Sequence, residues 1–95
     1  MEKRILTKHP QKDKKGVNIR QAQYDVVRDA ILDSLRAKRE ITFTDLTRAV
    51  NRKLRGKFEG SISWYVTTIK LDLEARKVIE RVPASIPQRL RLVAG

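Results

Sequence analysis

Apolar residues recur at helical spacing in three stretches of the chain and alternate in a fourth. From Ala22 onward, Val26-Val27, Ala30-Ile31 and Leu35 repeat with helical period, which predicts a long amphipathic helix over residues 19–38 with Asn18 as its N-cap. The next segment, "EITF", is long enough for a single β-bridge only. Thr44 then has the chemistry of an N-cap, and Asp45 sits favourably at the positive end of the helix dipole that follows. Leu46, Ala49-Val50 and Leu54 make the buried face of this second helix, over residues 45–55. Gly56 suits the C′ position after it, where φ is positive. Ser61 is read as the cap of a third helix running to about Arg76, with Ile62, Val66, Ile69 and Leu73 facing the core at i, i+4, i+7 and i+11. The last segments are "VIERV", a turn "PASIPQ", and "RLRLV", in which Arg89 and Arg91 alternate with Leu90 and Leu92. That period of two predicts a β-hairpin with one wet face. Ahead of the first helix, Ile5-Leu6 and the polar run "TKHPQKDKKG" read as an arm with one short strand and a basic loop. The chain divides into an arm over 1–17 and a folded domain over 18–95.

The order helix, short strand, helix, helix, hairpin resembles the winged helix-turn-helix superfamily over roughly residues 19–93. "LDLEARKVIERV" carries the likeness most directly. Leu73, Val78, Ile79 and Arg81 take the places of the Leu and of the "Leu-Ile-x-Arg" strand usual at the end of a recognition helix and the start of a wing. The whole chain, with "KKGVNI" and "WYVTTIKLDLEAR", is also similar to a small bacterial winged-helix family without an assigned function. The resemblance implies a mainly α domain with a small β wing: a three-helix core, a β-hairpin and a short N-terminal arm. Two features depart from the superfamily. Lys77 stands where Gly is usual, so either it takes a positive φ at some strain or the turn is built differently. The loop between the second and third helices is also longer than in a compact helix-turn-helix.

Charge sharpens the functional expectation. The 95 residues hold 22 Lys and Arg against 11 Asp and Glu, a net charge of +11, which points to a polyanion partner. Nucleic acid is the first such partner, and an anionic membrane surface a distant second. The excess lies in two blocks. Residues 1–20 hold seven bases against two acids, and residues 36–57 hold eight against Glu40 and Asp45. Residues 58–82 balance. With no cysteine, disulfides and thiolate chemistry are excluded. No apolar run approaches the ~18–20 residues of a membrane span, and "MEKRILTKHP" is too polar for a secretory signal, so a cytoplasmic location is expected. His9, the only histidine, lies in the polar arm without a metal-spaced or nucleophilic partner. "GKFEG" lacks the spacing of a phosphate-binding loop. No catalytic residue, metal ligand or cofactor is expected, and the chain reads as a non-enzyme. Asp25, Asp29 and Asp33, at i, i+4 and i+8, read as a solvated face or as the seat of the Lys12–Lys15 loop.

The candidate nucleic-acid contacts come from three elements. Arg48, Arg52 and Arg55 form a stripe on the second helix pointing away from Leu46; with Lys53 and Lys57 they give a concentrated positive surface, on which the three arginines and Lys57 would neutralise phosphates. On the third helix Ser63, Trp64, Thr67, Thr68 and Lys70 would face a groove of double-stranded DNA, with Lys70 reaching a phosphate. Arg89 and Arg91 would brace from the wing. Against this stands the neutrality of the third helix, which has no Arg, Asn or Gln between Ser61 and Arg76 to read a base bidentately. The preferred reading therefore packs Trp64 and Leu71 under the arm or a second subunit, with Trp64 free at a contact surface as the alternative. A DNA-binding, transcription-regulator-like protein is the leading function. A protein-interaction module that uses the aromatic surface of the third helix is the rival, RNA binding ranks third, and a homodimer through the first helix or the arm stays open.

Overall fold

A computed structural model describes residues 2–94 of the chain. Three helices, α1 (Gln21–Lys38), α2 (Phe43–Leu54) and α3 (Ile62–Ala75), pack against one another around a single core. Two small antiparallel sheets flank them. One pairs β1 (Arg4–Leu6) with β2 (Asn18–Arg20); the other sets β3 (Glu40–Thr42), β5 (Arg89–Leu92) and β4 (Ile79–Arg81) side by side, with β5 in the middle. The result is a compact mixed α/β domain. Among the described residues no helix is long and apolar enough to cross a membrane.

The buried face of α1 is Tyr24, Val27, Ala30, Ile31, Ser34 and Leu35. Relative to the pattern read from sequence, the stripe is rotated: Ala22 and Val26 point outward, while Tyr24 and Ser34 turn in. Ser34 is tolerated there because its hydroxyl donates to the Ala30 carbonyl oxygen at 2.8 Å. Leu46 and Val50 of α2 and Val66, Ile69 and Leu73 of α3 are fully enclosed, as their spacing requires. Ile79 and Leu90 close the core from the sheet.

Three boundaries differ from expectation. Asn18 does not cap α1. It belongs to β2, which pairs with β1 in the register Arg4↔Arg20, Ile5↔Ile19 and Leu6↔Asn18, so the arm stays engaged as far as Arg20. "EITF" supplies a full strand, because β5 offers it a ladder that no local pattern could reveal: Glu40↔Arg91, Ile41↔Leu90, Thr42↔Arg89. The cap of α2 is Thr42 rather than Thr44, its hydroxyl oxygen accepting from the Asp45 N–H at 3.1 Å. Ser61 does cap α3, accepting from the Trp64 N–H at 3.2 Å, and Gly56 takes a φ of +80° after α2.

The end of α3 resolves the question raised by Lys77. Its N–H donates to the Glu74 carbonyl at 3.1 Å, and the Val78 N–H donates to the Leu73 carbonyl at 3.0 Å. Those two bonds make a Schellman motif, and Lys77 occupies its left-handed position with φ of 65°. A side chain at that φ carries a steric cost that glycine escapes.

Asp72 of α3 is the most constrained polar group. Its carboxylate is fully buried and accepts from three elements. Arg76, one turn on, donates Nε at 2.9 Å; the Lys8 backbone N–H of the arm donates at 2.8 Å; and the Tyr24 hydroxyl of α1 donates to Oδ2. Burial, then the bond to Asp72, pushes the Tyr24 phenol well above its usual range, and the bond to Asp72 holds the Arg76 guanidinium above its ordinary value. With Tyr24 raised, its contribution is complete below the unfolded value of about 10 and disappears only as pH climbs through the folded one. The arm is fastened at a second point by Thr7, whose N–H donates to the Val17 carbonyl and whose hydroxyl accepts from the Val17 N–H, each at 2.8 Å. Gly16 lies so close that an added Cβ would sit 1.6 Å from the Thr7 carbonyl oxygen, so no side chain fits.

Three substitutions test this account of stability. Asp72→Ala should lose about 3–5 kcal/mol, because it strands Arg76, Tyr24 and an arm N–H together. Tyr24→Phe should lose about 1.5 kcal/mol, since two donors to the carboxylate remain. Urea unfolding measures both, and equal losses would remove Asp72 from its central place. Lys77→Gly should gain about 0.5–1 kcal/mol by relieving the left-handed strain. A loss of stability in thermal unfolding would contradict the Schellman assignment.

Candidate nucleic-acid interface

The basic side chains on α2 point outward because Leu46 and Val50 fix the opposite face in the core. They border a cleft of about 990 Å³ between the C-terminal half of α1, β3, α2 and the start of β5. Arg48, Arg52, Arg55, Ser63 and Arg89 all line it. Lys53, expected beside the arginine stripe, lines it too, as does Lys38, which the sequence reading did not single out, giving six basic residues against Asp33, Glu40 and Asp45. Two of these acids are engaged locally: Asp33 with Arg36 at 3.0 Å, and Asp45 with Arg48 at 3.7 Å. The Asp45–Arg48 pair is well exposed, and such pairs hold their charges only weakly. Among the described residues Arg52, Arg55 and Arg89 make no ion pair. The cleft is thus a concave, solvent-facing surface able to hold a polyanionic backbone.

The remaining candidates fall elsewhere. Lys57 is exposed in the α2–α3 turn, off the cleft, and Thr68 is half-buried on α3. Thr67 is exposed, its hydroxyl donating to the Ser63 carbonyl at 3.1 Å, so its oxygen is left free to accept. Arg91 faces Glu40 and Glu80 in register on either side and donates to Glu80 at 2.6 Å, which removes much of its reach toward an anion.

Lys70 corrects the expectation of a groove contact. It is only 6% exposed, with Nζ 2.9 Å from Glu74 and 5.4 Å from the Phe43 ring centroid. Glu74 also receives Arg81 at 3.3 Å, so a Lys70–Glu74–Arg81 chain ties α3 to β4. The signal was present in the sequence: position 70 is four residues past Val66 and three before Leu73, on the core stripe, with an acid at i+4. The acidic stripe of α1 is likewise served at home, Asp25 and Asp29 by Arg28 and Asp33 by Arg36. Among the described residues no ion pair joins it to the Lys12–Lys15 loop.

The arm does not cover Trp64 as one form of the preferred reading expects. Trp64 is 45% exposed, standing edge-on to Tyr65 with ring centroids 4.9 Å apart. Leu71 is half-buried. Beside Trp64 lies a smaller hollow of about 480 Å³ that shares no lining residue with the cleft. Another of its walls is the β1–β2 hairpin, which presents Arg4 and Arg20. Arg20 is paired with Glu2 at 3.4 Å, whereas Arg4 is held by the neutral Asn18, through Oδ1 and through the carbonyl at 3.2 Å. The sequence pattern places Arg4 in the arm and Arg20 in the first helix, and nothing local shows that a β1–β2 ladder brings both to the hollow that Trp64 lines. Among the described residues no cluster of His, Cys, Asp and Glu suits a metal ion.

No curated protein and no solved structure matches the chain. A protein-family match covers residues 4–90 and so takes in both sheets up to the start of β5, all three helices, the cleft and the hollow beside Trp64. The chain belongs to this family, described as a family of unknown function, DUF6958.

Proposed function

We propose that the protein is a winged helix domain that binds double-stranded DNA in the manner of a transcription regulator, with no chemical step of its own. The helix, strand, helix, helix, hairpin order, with β3 and β4 both laid against β5, supports the winged-helix part of the reading. The observation that carries the function is the cleft. Arg48, Arg52 and Arg55 from α2 and Arg89 from the wing strand are distant in sequence, yet they border one surface with six bases to three acids. On this reading they neutralise phosphates, with Lys38 and Lys53 adding to the field. Ser63 and Thr67 at the exposed start of α3 meet a groove edge. A cytoplasmic location accords with such a role.

A protein-docking role is the second reading, and the exposed Trp64 is the feature that favours it. The surroundings of Trp64 weigh the other way. They are a hollow edged by Arg4 and Arg20 rather than a flat apolar patch, and only Asp45 interrupts the basic face of α2. RNA and a self-associated form rank behind these.

The test is fluorescence anisotropy of a labelled random duplex over a range of salt concentrations. Each phosphate neutralised contributes about 0.9 to the slope of log K against log[salt]. The combined Arg52→Ala, Arg55→Ala, Arg89→Ala variant should flatten that slope by about 2.7, while Arg28→Ala, paired with Asp25 and Asp29 off the cleft, should leave it nearly unchanged. Equal slopes for wild type and the triple variant would reject the cleft as a phosphate site. An RNA hairpin that outcompetes the duplex would move the assignment to RNA.

A further inference from the structure

The hollow beside Trp64 has a composition that the cleft lacks, and the duplex reading gives it no task. One wall is an indole, 45% exposed, whose orientation is set by Tyr65 standing edge-on to it. Tyr65 is itself fixed, its hydroxyl donating to Gln23 Oε1 at 2.9 Å while Gln23 Nε2 donates to the Glu59 carbonyl at 2.9 Å. Arg4 lines the same hollow. Its guanidinium is oriented by Asn18, a partner without charge, and among the described residues it has no carboxylate within salt-bridge distance. The guanidinium is therefore positioned without being neutralised. The only acid on the hollow's lining is Glu59, which is exposed.

A preset aromatic wall and an un-neutralised guanidinium around a space of about 480 Å³ match the two halves of a nucleotide. The base has a π-face that stacks on an aromatic ring whatever its identity, and its phosphate takes a guanidinium. The volume lies within the range of about 300–1,000 Å³ typical of small-ligand sites. Bases within a duplex already stack on their neighbours, so the hollow selects an unpaired one. We infer that it is a subsite for an unpaired nucleotide of the nucleic acid held by the cleft. Trp64 stacks on the base, Arg4 binds the adjoining phosphate, and Glu59 is placed to accept from an exocyclic amino group. The preferred ligand then becomes a duplex with a short single-stranded extension rather than a blunt duplex. This inference rests on the duplex reading for the cleft, but the two separate in experiment.

Trp64 is the only tryptophan, so its emission reports the hollow alone. The wild-type protein is titrated with a blunt duplex, with the same duplex carrying a three-nucleotide 5′ or 3′ extension, and with a single strand, following both emission and anisotropy. The expected result is that one extension tightens binding by about tenfold and quenches Trp64, the gain of one stacked base. Trp64→Leu and Arg4→Ala should each bring the extended duplex back toward the blunt value and leave blunt-duplex affinity within about twofold. Unchanged thermal midpoints would show that both variants are folded. Equal, unquenched binding of blunt and extended duplexes would overturn the subsite and leave the duplex reading standing. A gain that survives both substitutions would overturn it as well. Quenching by a single strand together with no blunt-duplex binding would support the subsite while removing the duplex reading. No binding by any probe would end both.

Discussion

The carboxylate of Asp72 is the constraint around which the domain is organised. A charge with no access to water must be met by donors, or the fold that buries it is lost. Here the donors come from three places: Arg76 on the same helix, Tyr24 on α1 and the Lys8 backbone of the arm. One side chain therefore fixes the orientation of α3 against α1 and anchors the N-terminal segment on both. Glu74, one turn away from Lys70, repeats the device toward β4 by gathering Lys70 and Arg81. The near-neutrality of residues 58–82 in so basic a chain has a physical cause in these networks. The charges of α3 are used in matched internal sets, and what faces solvent at its start is hydroxyls and an indole.

Helix identity was legible because the periodicity is strong where the core is dense. Leu46 with Val50, and Val66 with Ile69 and Leu73, are enclosed, and no other helical phase would bury them together. The errors fall where a partner remote in sequence decides. Asn18 has the chemistry of a cap, yet β1 recruits it into a ladder. "EITF" is unremarkable alone, and β5 makes it a strand. Lys70 was misplaced for a different reason. A lysine's charge argues for the surface, whereas its position on the core stripe and the acid at i+4 bring it inside, paired with Glu74. For the candidate site, the outward stripe of α2 could be read from the helix, but its union with Arg89 depends on the β3–β5 pairing. The approach of Arg4 to Trp64 depends on the arm hairpin. Neither juxtaposition leaves a local trace.

How the charge is distributed matters more than the net value of +11. On α1, Arg28 and Arg36 balance Asp25, Asp29 and Asp33 in short exposed pairs, so that face contributes little field beyond a Debye length of about 8 Å. Arg91 is balanced between Glu40 and Glu80. Around the cleft, by contrast, Arg52, Arg55 and Arg89 stand close together and, among the described residues, without an ion-pair partner. Concentrated charge on a concave wall focuses a field in a way that the same charge spread over a sphere does not.

The exposed start of α3 limits how such a surface could discriminate. Ser63 and Thr67 offer hydroxyls that bond phosphates and base edges alike, and Trp64 offers a π-face that every base can meet. Bidentate readers of guanine or adenine are absent from that face, since α3 holds no Arg, Asn or Gln. Under the proposed function, selectivity would have to reside in the form of the nucleic acid rather than in its sequence, and the arm is the element that could supply it. The Lys8 and Thr7 bonds hold the arm in place, and the hairpin they support carries Arg4 to the hollow that the indole lines. Loss of the Asp72 anchor would then loosen more than the core: it would free the wall that turns an exposed tryptophan into one side of a site.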